Sequence, residues 1–234
     1  MKSFLLLPVG GSATRMLGLP KFMLPVSDTE TLLEKHCLGA KAAGYDEIHI
    51  ITRRRYFDFI KDYVSDRNMP VLVHELPHET STMCETLSIA AGLIDGIEDS
   101  SVSIGLADTT FYGEPHVEIY RRLLKTETDF SLALFSIRDD QFGKLGQVDL
   151  SSEGEVLMMK DKTPGCDYPL IWGIAKVPGS FLVGVDKSDA HIGISIEKTL
   201  AAWQKVYGFK TEEEYFDCGT FGEYSRFLDR NRAI

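Results

Sequence analysis

Between residues 4 and 137 short apolar runs alternate with stretches of helical periodicity, and that alternation leaves few architectures open. FLLLPV, residues 4–9, is a continuous apolar run, the pattern of a strand buried on both faces. Residues 29–43 set Leu32, Leu33, His36, Cys37, Ala40 and Ala43 on one helical stripe, and Gly44 ends it. EIHIIT (47–52) reads as a second strand, 56–64 as a helix, MPVLVHE as a third strand around 70–75, and 82–94 as a helix. SVSIGLAD, residues 101–108, is a fourth strand ending on a carboxylate; a helix over 115–125 leads into FSLALFSI, residues 130–137. Strands and helices alternating at this spacing predict right-handed βαβ units and an α/β fold with a mostly parallel sheet flanked by helices.

The pattern changes after that. Residues 145–162 read as a β-hairpin turning at Ser151 to Gly154, and PLIWGIAKV (169–177) as another strand before a short helical stretch near 180. A helix is predicted over 195–206, a last strand at EYFDCG, and a closing helix over 220–230. With no repeat or long linker, residues 1–234 read as one domain, elaborated by a β-rich insertion over about 139–190. A chain of 234 residues buries roughly 70–75% of its unfolded surface and needs no disulfide or metal staple.

Charge and cysteines narrow the function classes. The formal net charge of −10 argues against general affinity for nucleic acid or anionic membrane, so any phosphate site must be a local cluster of donors. Cys37, Cys84, Cys166 and Cys218 lie far apart with no C-x-x-C pair, which suggests reduced thiols, a cytoplasmic location and no zinc. The apolar start breaks at Pro8 before a full signal-peptide core, and no stretch reaches about 18 apolar residues.

The richest chemistry lies in VGGSATRMLGLPKFMLPV, residues 9–26. Gly10 and Gly11 let a ligand approach the backbone after Val9, and the amides of Ser12, Ala13 and Thr14 can form an anion-binding concavity. Arg15 adds a planar fork of donors; Pro20 stiffens the chain before Lys21, a point charge able to reach the same phosphates. A Walker loop would need Gly-Lys-Ser/Thr, and a dinucleotide fingerprint a third glycine where Arg15 stands.

The run GG-x-x-x-R-M followed by Pro-Lys resembles the signature of nucleotidyltransferases with a GT-A-like, Rossmann-like fold, among them sugar-1-phosphate nucleotidylyltransferases and small cytidylyltransferases. Matching segments follow in order along almost the whole chain. The resemblance implies that Arg15 and Lys21 are catalytic and that residues 9–14, with Ser81 and Thr82 in HETSTMCETL, bind the nucleotide. It further implies that Asp108 and Asp217 (in Asp-x-Gly-Thr) hold Mg²⁺. Gly146, Asp161, Lys162, Trp172 and Gly173 would then face the acceptor, with a nucleotide-binding part over about 1–138. The implied reaction joins an NTP to a phosphorylated small molecule, a sugar 1-phosphate before a phosphorylated alcohol or amino acid, and releases pyrophosphate.

Departures are visible as well. Ala13 and Ala107 replace common glycines. Thr163 leaves the lysine register open between Lys160 and Lys162. The short gap from Arg15 to Pro20 and the lack of a thymidylyltransferase Gln and Pro-x-Gly favour CTP slightly. A GT-A glycosyltransferase is disfavoured because Thr109 and Thr110, not x-Asp, follow Asp108. A non-catalytic homologue need not keep Arg15, Lys21, Asp108 and Asp217 together; homo-oligomerisation is left open. Elsewhere, His49 and His74 read as paired strand histidines, Arg53 to Arg55 as a helix entry, Tyr56, Phe57 and Phe59 as core, and Cys218 as a small packing residue.

Overall fold

The computed structural model describes residues 1–11, 14–113, 116–202 and 204–232. Strand β1 (Ser3–Val9) lies at its centre, and Phe4, Leu5, Leu6 and Leu7 are fully buried, which explains a run apolar on both faces. β1 pairs in parallel with β2 (Glu47–Thr52) on one side and β4 (Ser101–Gly105) on the other, and β2 pairs in parallel with β3 (Leu72–Glu75). Beyond β4 come β9 (Leu170–Pro178), antiparallel, then β6 (Ser131–Ser136) and β10 (Tyr207–Lys210), giving the order β10-β6-β9-β4-β1-β2-β3. Only β9 opposes the other strands of this path, so the sheet is mixed but mostly parallel, as the alternation predicts.

Helices cover both faces. α1 (Leu32–Ala43), α2 (Arg54–Asp66) and α4 (His116–Lys125) pack on the core side holding Leu5, Leu7, Ile48 and Ile50. α3 (Met83–Leu93), α5 (Gly179–Val183) and α6 (Ile192–Ala201) pack on the side holding Phe4, Leu6, Val102 and Ile104. α1 starts at a capping box, with Thr31 accepting from the Glu34 amide and Glu34 from the Thr31 amide, and ends at Gly44 in the left-handed region (φ 103°).

The β-rich insertion is the hairpin of β7 (Gly146–Leu150) and β8 (Val156–Asp161), which joins the sheet through β7 and β9. A separate antiparallel ribbon pairs β5 (Thr109–Tyr112) with β11 (Glu214–Asp217), backed by α7 (Phe221–Arg232) through Phe216 and Phe227.

Several sequence expectations change here. The fourth strand ends at Gly105 rather than 108, and Asp108 sits in the turn into β5. The helix expected over 195–206 stops at Ala201, and the chain then enters β10. The last strand belongs to the ribbon and not to the main sheet. Phe59 is 49% exposed and stacks on Tyr63, while the buried stripe of α2 is Tyr56, Ile60 and Val64; Phe57 is half-buried. His49 and His74 do pair across β2 and β3, Nδ1 to Nε2 at 3.0 Å.

The connections set the place of the site. From β1 the chain steps outward to β2 and β3, then returns to place β4 on β1's other side. The carboxyl ends of β1 and β4 therefore flank a topological switch point, where open α/β sheets leave a crevice for ligands.

Candidate active site

A two-part cleft opens at that switch point. One part, about 150 Å³, is lined by Val9, Gly11, Pro20, Lys21 and Asp108; the other, about 190 Å³, by Arg15, Gly146, Asp161, Lys162, Trp172 and Asp217. Met83, Leu106 and Asp108 line both, so the two parts join at the end of β4. At Gly11 a side chain would meet no atom of the described residues within 4 Å, so packing among them does not account for this glycine. Ser12 and Ala13 lie outside the described residues, and Thr14 begins a single helical turn, Thr14–Met16.

The two aspartates, 109 positions apart (217 − 108), meet through the ribbon. Its register sets Asp217 opposite Thr109, and the Cys218 amide donates to the Asp108 carbonyl at 2.9 Å. Gly219 lets the cations in. Its amide donates to Asp217 Oδ1 at 3.0 Å, and a Cβ there would stand 2.7 Å from that oxygen and 3.2 Å from both an Arg15 nitrogen and Lys21 Nζ. Lys21 Nζ also donates to Asp108 Oδ2 at 3.3 Å. Burial, then the charge of Asp108, pushes the Asp217 carboxyl above the usual carboxylate range; the Gly219 amide, Arg15 and Lys21 pull the other way.

The turn carrying Asp108 is braced from beneath. Fully buried His36 on α1 bonds the Thr109 carbonyl through Nε2 at 2.9 Å and the Tyr120 hydroxyl through Nδ1 at 2.6 Å. A carbonyl only accepts, so Nε2 carries the proton and the tyrosine donates to Nδ1. Burial lowers the His36 pKa to about 4, so the brace stays neutral at ordinary pH.

The hairpin builds the second part. Gly146 is paired with Asp161, and a Cβ on it would fall 1.9 Å from the Trp172 indole nitrogen and 2.6 Å from Asp161 Oδ1. Gly193 makes a similar allowance, with Asp161 Oδ1 2.6 Å and Trp172 3.1 Å from its would-be Cβ. The Trp172 ring and the Asp161 carboxylate are thus seated against two glycines. Asp161 Oδ2 and Trp172 Nε1 are buried and neither makes a hydrogen bond of good geometry among the described residues, although the indole N–H is near enough to the carboxyl to favour its charged form. Burial raises the Asp161 pKa, against the pull of His191 and Lys162. Lys162 itself has a left-handed backbone (φ 49°), unusual for a side chain of its size, and its Nζ donates to His191 Nε2 at 3.1 Å. Lys160 instead forms an ion pair with Glu197 on α6.

Some implied residues lie elsewhere. Gly173 makes room for ring packing, since a Cβ would stand 2.7 Å from both Phe135 and Tyr215. Thr82 caps α3, accepting from the Glu85 amide at 2.9 Å and donating to the Lys187 carbonyl at 2.6 Å, while the Ser81 amide donates to Glu85 at 2.6 Å. A Cβ on Gly10 would stand 3.8 Å from the side chains of Arg53 and Leu76. Arg53 is held by Glu79 at 2.7 Å, and Arg54 by Glu75 and Asp58 at the surface. Met83, Leu106, Leu145 and Tyr215 also line the cleft; each lies in a segment the sequence marks, but only the fold singles out the residue, and His191 lies in no such segment.

Arg15, Lys21, Asp108, Asp217, Gly146, Asp161, Lys162 and Trp172 therefore share one cleft. No group of three or more His, Cys, Asp or Glu side chains suited to a metal occurs among the described residues, and no helix among them is long and apolar enough to cross a membrane.

No protein-family model and no curated protein matches the chain. Solved structures do match it over nearly its full length. A UDP-glucose pyrophosphorylase complexed with UDP-glucose shares 18% identity at a TM-score of 0.82, covering 100% of this chain and 99% of that one. A UTP-bound UGPase from Acinetobacter baumannii shares 16% at 0.77, over 98% and 93%. A putative glucose-1-phosphate thymidylyltransferase from Bacillus anthracis, in complex with a sucrose, shares 13% at 0.82, over 99% and 96%. At such identities the likeness is one of architecture: end to end, the chain has the fold of sugar-1-phosphate nucleotidyltransferases.

Proposed function

We propose that the protein is a nucleotidyltransferase that joins an NTP to a phosphorylated small molecule, a sugar 1-phosphate first, and releases pyrophosphate. The observation that carries this reading is the meeting of Arg15, Lys21, Asp108 and Asp217 around Gly219, in a cleft that continues to Lys162 and Asp161. A cofactor-free hydrolase or a passive binding module has no need of two cations and two carboxylates gathered at one strand end. In this reading residues of about 1–138 hold the nucleotide, and the insertion over about 139–190 holds the acceptor.

An oxygen of the acceptor phosphate attacks the α-phosphorus of the NTP as the bond to the β-phosphate oxygen breaks. The pyrophosphate takes the electron pair, and a new P–O–P bridge remains. The attacking oxygen is already ionised, so no general base is needed. The task is to hold two anions in line and offset the charge that builds on the transferring and leaving groups. Arg15 and Lys21 carry that charge on the nucleotide side. Lys162 holds the acceptor phosphate, and Asp161 with the Trp172 N–H offers an acceptor and a donor to its hydroxyls.

Two neighbouring carboxylates, one with its pKa raised by burial and then by the other's charge, suit a hard divalent cation such as Mg²⁺, which usually takes one or two carboxylates and completes its shell with substrate phosphates and water. Asp108 and Asp217 would hold it. Bound there, the ion supplies Lewis-acid stabilisation of the phosphoryl oxygens.

The nucleotide base comes from a screen. The UDP-glucose and UTP held by two of the matching structures make UTP with glucose 1-phosphate a natural first pair. CTP, slightly favoured by the short loop before Lys21, is tested beside it. Pyrophosphate release should require one NTP, one phosphorylated acceptor and a divalent cation together. In calorimetry that NTP should bind more tightly than its monophosphate. Equal affinity for NTP and NMP, with no release from any pair, would contradict the assignment.

A further inference from the structure

The acceptor side of the cleft contains a histidine that the steps above do not use. His191 immediately precedes α6, makes no capping bond to that helix, and lines the cleft beside Lys162. Its Nε2 lies 3.1 Å from Lys162 Nζ. An ammonium has only protons to offer, so Nε2 must present its lone pair, and His191 is neutral with its proton on Nδ1.

That pairing lasts only while no anion competes for Lys162. The charged groups facing His191 are Lys162 and Asp161 from the end of β8, and Arg15, Asp108 and Asp217 across the cleft. Glu197, on α6, is already engaged with Lys160. Protonating His191 beside Lys162 would put two cations in contact, and burial followed by Lys162 holds its pKa down while Asp161 pulls it up. A phosphate monoester entering against Lys162 reverses the balance. It accepts the hydrogen bonds of the Lys162 ammonium, frees the imidazole lone pair, and adds up to two negative charges next to it.

We infer that His191 is a second ligand of the acceptor phosphate, changing from hydrogen-bond acceptor of Lys162 to protonated donor as the phosphate binds. The proton comes from solvent: an Nε2–H bond forms as the donor's O–H bond breaks, and no other covalent bond changes. The inference rests on the reading in which Lys162 meets the acceptor phosphate. It gives the site a preference: an ammonium and an imidazolium together match a dianionic monoester better than a singly charged diester or a carboxylate. It also sets a pH signature. As pH falls towards 6 the phosphate loses charge, which weakens binding, while His191 gains a proton, which strengthens it. Wild-type acceptor affinity should therefore weaken less at low pH than that of a variant without the histidine.

The test uses the full-length protein and inorganic phosphate as the probe. Nitrogen NMR of the imidazole rings should show His191 as the neutral Nδ1–H form without phosphate, with its titration midpoint moving up on addition of phosphate. Calorimetry in buffers of different ionisation heat should read a fractional proton uptake that disappears in His191→Gln. In the same variant phosphate or acceptor binding should weaken roughly tenfold, about the value of one charge-assisted hydrogen bond, with NTP binding unchanged. In Lys162→Met the His191 midpoint should rise even without phosphate. Ring signals indifferent to phosphate, or proton uptake that persists in His191→Gln, would overturn the inference. If His191 responds as described but no NTP and acceptor pair releases pyrophosphate, the phosphate site stands and nucleotidyl transfer is the reading that fails.

Discussion

Asp217→Asn should lose most turnover while folding at least as stably as the parent. The amide keeps the shape of the strand end and can still accept from the Gly219 amide, but it removes a charge. Turnover should drop roughly 100- to 1000-fold, the range for loss of one preorganised charge-stabilising group. Asp108→Asn should behave alike, and the double variant should be little worse than either single, because groups acting as a unit are strongly non-additive.

The stability half of this prediction follows from Asp217's raised pKa. A carboxyl whose folded pKa lies above its unfolded value favours folding most below the unfolded pKa, and that contribution is lost as pH rises through the folded value. At neutral pH the ionised Asp217 is therefore a cost, relieved by Asn. Thermal melts without ligand should place the variant at or above wild type, while NTP with Mg²⁺ should raise the wild-type Tm more than the variant's. An Asp217→Asn protein with full activity and unchanged Mg²⁺ dependence would reduce Asp217 to a strand-end cap.

The second large effect separates the two lysines. Lys21 stands with Asp108 and Asp217 where charge builds in the transition state, so Lys21→Ala should act on kcat. Lys162 stands in the other part of the cleft beside His191, so Lys162→Ala should raise the acceptor KM and leave NTP binding nearly intact. Each loss should be about 2–4 kcal/mol in kcat/KM. Lys160→Ala is the control: its ion pair with Glu197 draws it to α6, so acceptor KM should not move. A KM effect from Lys160 with none from Lys162 would reverse the register of the segment.

Much of this arrangement is legible in the sequence, and its gaps have physical causes. FLLLPV declares a doubly buried strand because every residue but the proline is apolar, and the glycine turn after it announces a site for close approach. TTFY and YGFK are short and carry polar residues, so β5 and β10 gain their strand character only from partners far along the chain. Asp108 and Asp217 stand out by motif, yet their meeting depends on the ribbon between β5 and β11, which no local pattern announces. The motif matching Gly173 points to a strand that does border the cleft, but the glycine itself serves Phe135 and Tyr215. His191 is the opposite case: a lone histidine before a helix has no signal until β8 brings Lys162 to it. Phe59 fits the helical stripe by spacing, but the stripe of α2 turns slightly to favour Tyr56, Ile60 and Val64 and leaves it outside.

The central claim is that one cleft brings the acceptor phosphate against the NTP α-phosphorus, and isotope tracing reads it most directly. The acceptor found by the screen is prepared with heavy oxygen throughout its phosphate and turned over with unlabelled NTP and Mg²⁺. Mass spectrometry of the products should find all of the label in the nucleotide-activated product and none in pyrophosphate, with release and product equal in amount. Label in free phosphate, or an activated product formed without pyrophosphate, would contradict the account.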